Sequence, residues 1–95
     1  MKQKIYKYEL RIDDIQSLVL PINAEIISLQ CQRDIPCIWV KLDINERLKD
    51  DRIFETYGTG HPLRHESGTR RKYIGTYQAQ FGAFVGHVFE VIKTI

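Results

Sequence analysis

No apolar run in this chain approaches the ~20 residues that a membrane-spanning helix needs. The basic start, Met1-Lys2-Gln3-Lys4-Ile5-Tyr6-Lys7, has no apolar stretch behind it, so no signal peptide is expected. Cysteine is scarce. Cys31 and Cys37 make no CxxC pair and no zinc-type pattern with His61, His65 and His87, which argues against a disulfide scaffold and a metal centre. Serine is also rare, and Ser17, Ser28 and Ser67 all lack the glycine-flanked context of a nucleophile elbow. The acidic pairs Asp13-Asp14 and Asp50-Asp51 read as turn chemistry. These absences point away from an enzyme and from any bound cofactor. They favour reduced thiols in a cytoplasmic protein.

What is present is ordinary in bulk and uneven in detail. The 95 residues suit one domain, 1–95, with 43% hydrophobic and 27% charged residues. So short a chain has a thin core, which makes a homo-oligomer the expected state. The apolar segment Val85 to Ile95, with His87, is the expected interface. The net charge is only +2. From Arg64 to Lys72 the charge is +3, which leaves −1 for the remainder. A local basic loop on a neutral body suits a small phosphorylated ligand better than a nucleic acid, which usually meets a broad basic face.

Alternation of apolar and polar residues dominates the chain. Tyr6, Tyr8, Leu10 and Ile12 share one face of a strand at 5–12. A short strand at 16–21 is stopped, or placed at a sheet edge, by Pro21. Ile27, Leu29 and Cys31 share a face at 25–33. At 35–43, Ile38, Val40 and Leu42 lie opposite Cys37 and Trp39, so this strand is expected in a central position. The polar residues 44–51 read as a loop. Strands follow at 52–57, 72–80 and 83–91, separated by a long connection at 58–71 and a turn at Gln80-Phe81-Gly82. No helical periodicity competes with them. The expected fold is all-β, a mostly antiparallel sandwich or barrel of about seven strands.

The chemistry-bearing stretch is Tyr57-Gly58-Thr59-Gly60-His61-Pro62. It lacks the GK[ST] ending of a P-loop and the third glycine of a dinucleotide fingerprint. Glycine nevertheless lets backbone approach a ligand closely, and exposed amides there can cradle an anion. The expected binding set is Gly58, Thr59, Gly60, His61, Arg70 and Arg71 for phosphates, with Tyr57, Tyr73 or Trp39 stacking a base.

The segments Ile5–Leu10, Leu20-Pro21, Pro36-Cys37-Ile38-Trp39, Tyr57–Pro62, Tyr73–Gln78 and Val85–Glu90 are similar to a family of small proteins encoded by phages and prophages. The GTGHP motif at 58–62 and His87-Val88-Phe89-Glu90 carry the resemblance most specifically. Family members usually have a glycine after the Leu-Pro, where this chain has Asn23 nearby. The resemblance implies an accessory protein of the bacterial cytoplasm. Joined to the glycine turn, the basic loop and the aromatics, it implies a sponge that sequesters a phosphorylated nucleotide-like signal. The alternative is a protein–protein module that blocks a host factor or serves in assembly.

Overall fold

The computed structural model describes residues 2–93. Seven strands follow one another, with no helix among the described residues. They are β1 (Gln3–Glu9), β2 (Ile15–Pro21), β3 (Glu25–Gln32), β4 (Ile35–Asp43), β5 (Lys49–Gly58), β6 (Thr69–Ala79) and β7 (Phe84–Lys93). All pairings are antiparallel. They build a three-stranded sheet, β1-β4-β3, and a four-stranded sheet, β2-β5-β7-β6. The shortest dimension is 16 Å, as two sheets stacked about 10 Å apart require. The architecture is an open sandwich and not a closed barrel.

The core lies between the sheets. Ile38, Val40 and Leu42 of β4 meet Leu20, Phe54, Tyr77, Ala79 and Val88 of the larger sheet. The expected central position of β4 is what the topology shows. Pro21 stays within β2, an edge strand, where its missing N–H breaks no ladder. Asn23 turns the chain at φ 65, a conformation asparagine tolerates better than most residues. Arg33-Asp34 joins β3 to β4 as a two-residue turn with both φ values positive. That geometry matches the right-handed twist of the flanking strands.

Several boundaries differ from the sequence reading. β1 stops at Glu9, and Leu10 turns inward while Arg11 and Ile12 leave the sheet. Lys49–Asp51 are strand and not loop, because Val19–Pro21 offer them backbone partners regardless of side-chain polarity. Arg70, Arg71 and Lys72 likewise belong to β6, paired with Glu90–Ile92, so the long connection shrinks to 59–68. In β3 a bulge between Ile26 and Ser28 changes the phase. Ile26, Leu29 and Cys31 pack on the core, while Ile27 faces out. β7 lies between β5 and β6 with both edges paired, so an interface through the segment expected at Val85 to Ile95 would use a face of this strand and not its edge. Thr94 and Ile95 lie outside the described residues.

β3 and β6 come together along one side of the sandwich. The Cys31 thiol donates to the Gln78 carbonyl at 3.0 Å, and the Gln80 amide donates to Asp34 Oδ1 at 2.7 Å. Both cysteines are free thiols. At one end of the inner face, Arg52 pairs with Glu90 and donates to the Ala24 carbonyl at 2.8 Å. This satisfies charges that the core would otherwise leave unpaired.

Candidate functional site

Outward-facing positions of β5, β7 and β6 align in rows across the larger sheet. Tyr57 stands opposite His87, and His87 opposite Thr76. Glu55 stands opposite Phe89, and Phe89 opposite Tyr73. Tyr73 and Thr76 are three residues apart, so a regular strand would send them to opposite faces. A bulge between Tyr73 and Gly75 inserts one residue and returns Thr76 to the outer face. The bulge is therefore what brings the two hydroxyls together.

β5 runs out at Gly58 into a tight turn closed by the His61 amide donating to the Gly58 carbonyl at 3.1 Å. Gly60 holds φ +86, a region that side chains rarely tolerate. The His61 ring lies against Gly58, where a Cβ would come within 3.0 Å of the imidazole. Thr59 is thereby carried over β7. Its Oγ1 lies 2.7 Å from His87 Nε2, and His87 Nδ1 lies 2.9 Å from Thr76 Oγ1. Thr76 Oγ1 in turn lies 2.6 Å from the Tyr73 hydroxyl. With His87 neutral, one ring nitrogen donates and the other accepts. If Thr59 donates to Nε2, protons pass along the chain and the Tyr73 hydroxyl proton is left pointing outward. If Thr59 accepts, its own proton is the one left over. With the ring neutral, either tautomer leaves one spare hydroxyl proton for a ligand.

Thr59, Tyr73 and His87 of this relay also line an open pocket of about 260 Å³. Tyr57, Tyr73, His87 and Phe89 form its floor, while Gly58 to His61 and Leu63 form its rim. Phe89 meets Tyr57 edge-on, with ring centres 6.0 Å apart, and Tyr73 at 5.5 Å and 60°. Of these rings Tyr73 is the exposed one, at 56%, while Tyr57 is buried.

Beside the cavity stands a buried acid on the sheet's outer face. Glu55 accepts from the Tyr57 hydroxyl at 2.7 Å and from Arg71 Nε at 2.6 Å. Arg64 Nη1 lies 3.3 Å from its other oxygen. Burial pushes the Glu55 carboxyl up, but hydrogen bonds from Arg71 and Tyr57 and the charges of Arg71 and Arg64 outweigh it. The net effect holds the group below its ordinary value. Arg64 also stacks over the Tyr57 ring at 5.6 Å, and its amide donates to the Tyr57 hydroxyl at 3.3 Å. The 59–68 connection is thus strapped across the outer face by Arg64.

Of the residues expected from sequence to bind, Tyr57, Gly58, Thr59, Gly60, His61 and Tyr73 are brought together. Arg71 is not available there, because it is committed to Glu55. Arg70 stands exposed opposite Ile92, away from the cavity. Trp39 lies in the other sheet, opposite Lys7 and Ser28. The sequence reading missed His87, Phe89, Leu63, Thr76, Glu55 and Arg64. Period-two spacing placed His87 with Phe89 on one face of β7 but could not say which face of which sheet. Among the described residues, no three His, Cys, Asp or Glu side chains gather as a metal ion would need. No helix among them is long and apolar enough to cross a membrane.

The chain is thus an antiparallel β-sandwich with an aromatic-floored pocket on one outer sheet face. It belongs to the family described as Domain of unknown function (DUF7352), which matches residues 1–94. No curated protein and no solved structure matches it.

Proposed function

We propose that this DUF7352 protein is a non-catalytic binding protein whose pocket takes the planar ring of a phosphorylated nucleotide-like ligand and sequesters it. The observation that carries this reading is the convergence of Tyr57, Tyr73 and Phe89 with the Thr59–His87–Thr76–Tyr73 relay in one cavity. Ligand pockets commonly enclose about 300–1,000 Å³. At about 260 Å³ this one admits a single nucleobase-sized ring and leaves the phosphates outside. The aromatic floor supplies stacking, which tolerates any base. The relay's spare hydroxyl proton meets a ring acceptor. Arg64 is paired with Glu55 as Arg71 is, but at 3.3 Å and with 38% of its side chain exposed it is free to turn to a phosphate at the pocket mouth, in place of Arg70 and Arg71. For a phage-encoded member, sequestering a host nucleotide signal is the role that follows.

A second reading, docking on a host protein, is favoured by Phe81. This ring stands fully exposed at the tip of the β6–β7 hairpin with φ 57. The neighbouring Gln80 backbone amide donates to Asp34 Oδ1 at 2.7 Å, which ties the tip to the β3–β4 turn.

Calorimetry with cyclic mononucleotides, cyclic dinucleotides, ADP-ribose and the corresponding nucleosides tests the first reading. At least one phosphorylated ligand should bind, and His87→Ala should weaken it. Arg64→Ala should weaken the nucleotide about tenfold or more and spare its nucleoside, since a charge-assisted contact contributes roughly 1.5–3 kcal/mol. Absence of binding by the entire panel at high micromolar protein would overturn the sponge and leave the Phe81 reading.

A further inference from the structure

We propose that the chain pairs with a second copy of itself along the free edge of β2, antiparallel across a two-fold axis. Two four-stranded sheets would then join into one. The argument starts from what guards each sheet edge. An unpaired strand edge is a template for further pairing, and proteins blunt it with charges, bulges or cover. β1 carries Lys4, Lys7 and Glu9. β3 and β6 each carry a bulge, and they face one another through the Cys31–Gln78 and Gln80–Asp34 hydrogen bonds. β2 has neither charge nor bulge, and its one edge-blunting residue, Pro21, stands at its last position. Its sequence, Ile15-Gln16-Ser17-Leu18-Val19-Leu20-Pro21, contains no charged residue. Its register with β5 is unbroken from Ile15 to Pro21, so the strand carries no bulge that would twist its edge away.

The outer face of β2 is apolar as well as bare. Ile15 is 50% exposed and Val19 61%. A two-fold axis at Leu18 sets Leu18 opposite its own copy, Ser17 opposite Val19, Gln16 opposite Leu20 and Ile15 opposite Pro21. Each apolar outer residue then continues a strip begun on the other copy. No like charges meet across the seam, and Pro21, the residue without an N–H, falls at the end where a ladder bond is least missed. This self-complementarity is why the occupant is a second copy and not a foreign strand. The pairing also answers the thin core of a 95-residue chain by covering apolar surface the monomer leaves wet. The pocket at Tyr57 and His87 lies beyond β5 from this edge, so it stays open in the pair.

Sedimentation equilibrium at tens of micromolar tests the proposal. The wild type should sediment at twice the 11.2 kDa chain mass. Ser17→Lys combined with Val19→Lys would set lysine against lysine twice across the seam, which is destabilising. Within the monomer the new Lys at 19 stands opposite Asp51, so the fold itself tolerates the change. This variant should run as a monomer with unchanged circular dichroism, while Ile5→Lys on β1 should leave the dimer intact. A monomeric wild type, or a double variant that keeps the dimer mass, overturns the pairing. Amide exchange on the wild type is an independent readout. β2 amides should become better protected as concentration rises, and concentration-independent exchange refutes the interface.

Discussion

Replacing Arg71 with alanine separates a structural role from a ligand-binding one. The Glu55 side chain is only 5% exposed and that of Arg71 14%, with Nε 2.6 Å from the carboxylate. Removing the guanidinium strands a buried charge. Breaking such a pair commonly costs about 3–5 kcal/mol. Here Tyr57 still donates and Arg64 remains at 3.3 Å, so part of the loss is recovered. The expected net cost is about 2–3 kcal/mol. For a domain of this size each kcal/mol moves Tm by about 4–8 °C, so melting should fall by roughly 10–20 °C. Arg70→Ala, at an exposed neighbouring position, should stay within about 0.5 kcal/mol of wild type. Differential scanning calorimetry and urea unfolding measure both. Adding Glu55→Gln should make the Arg71→Ala penalty markedly smaller, because the stranded charge is gone. If Arg71→Ala proves as mild as Arg70→Ala, the pair does not anchor this face and Arg71 returns as a candidate for ligand.

Other outcomes follow from the same packing. The folded Glu55 carboxyl titrates below its ordinary 4.5. Its contribution to stability is therefore full above that value and is lost as pH falls through the lower, folded value. Acid unfolding of Glu55→Gln should accordingly be flatter below that pH than wild type. An identical profile would show that Glu55 is not linked to folding. The Tyr77 hydroxyl is buried without a partner, so Tyr77→Phe should be neutral or stabilising by up to about 1–3 kcal/mol in urea titration. Burial, with a smaller contribution from Cys31, pushes Tyr77 up to about 12. Ultraviolet titration should therefore show one of the five tyrosines ionising last, and Tyr77→Phe should remove that step. Gly86→Ala sets a methyl 2.6 Å from the Tyr77 ring, and such overpacking should cost about 1–3 kcal/mol.

Strand content was legible from period-two alternation, and the central position of β4 from apolar residues on both its faces, but the choice between sandwich and barrel was left to the sheet pairing. Alternation is a local signal, since each strand must send every second residue to a core. The glycine turn at 58–60 was legible for the same reason: a positive φ at Gly60 is a property of a few neighbouring residues. What alternation could not reveal was anything set by pairing. The polar segment Lys49–Asp51 and the basic segment Arg70–Lys72 became strand because β2 and β7 supplied backbone partners. The bulges in β3 and β6 shifted the phase, turning Ile27 outward and placing Tyr73 and Thr76 side by side. Arg71 was recruited by Glu55, sixteen residues earlier in the chain. His87 was recruited by Thr59, in the turn just past β5, and by Thr76 on β6. The sequence by itself determined which residues could form strands and where the chain could turn, because those preferences are short-range. Only the tertiary structure decided which strands became neighbours, and with them the pocket, the buried ion pair and the bare edge of β2, since each joins residues that meet only across paired strands.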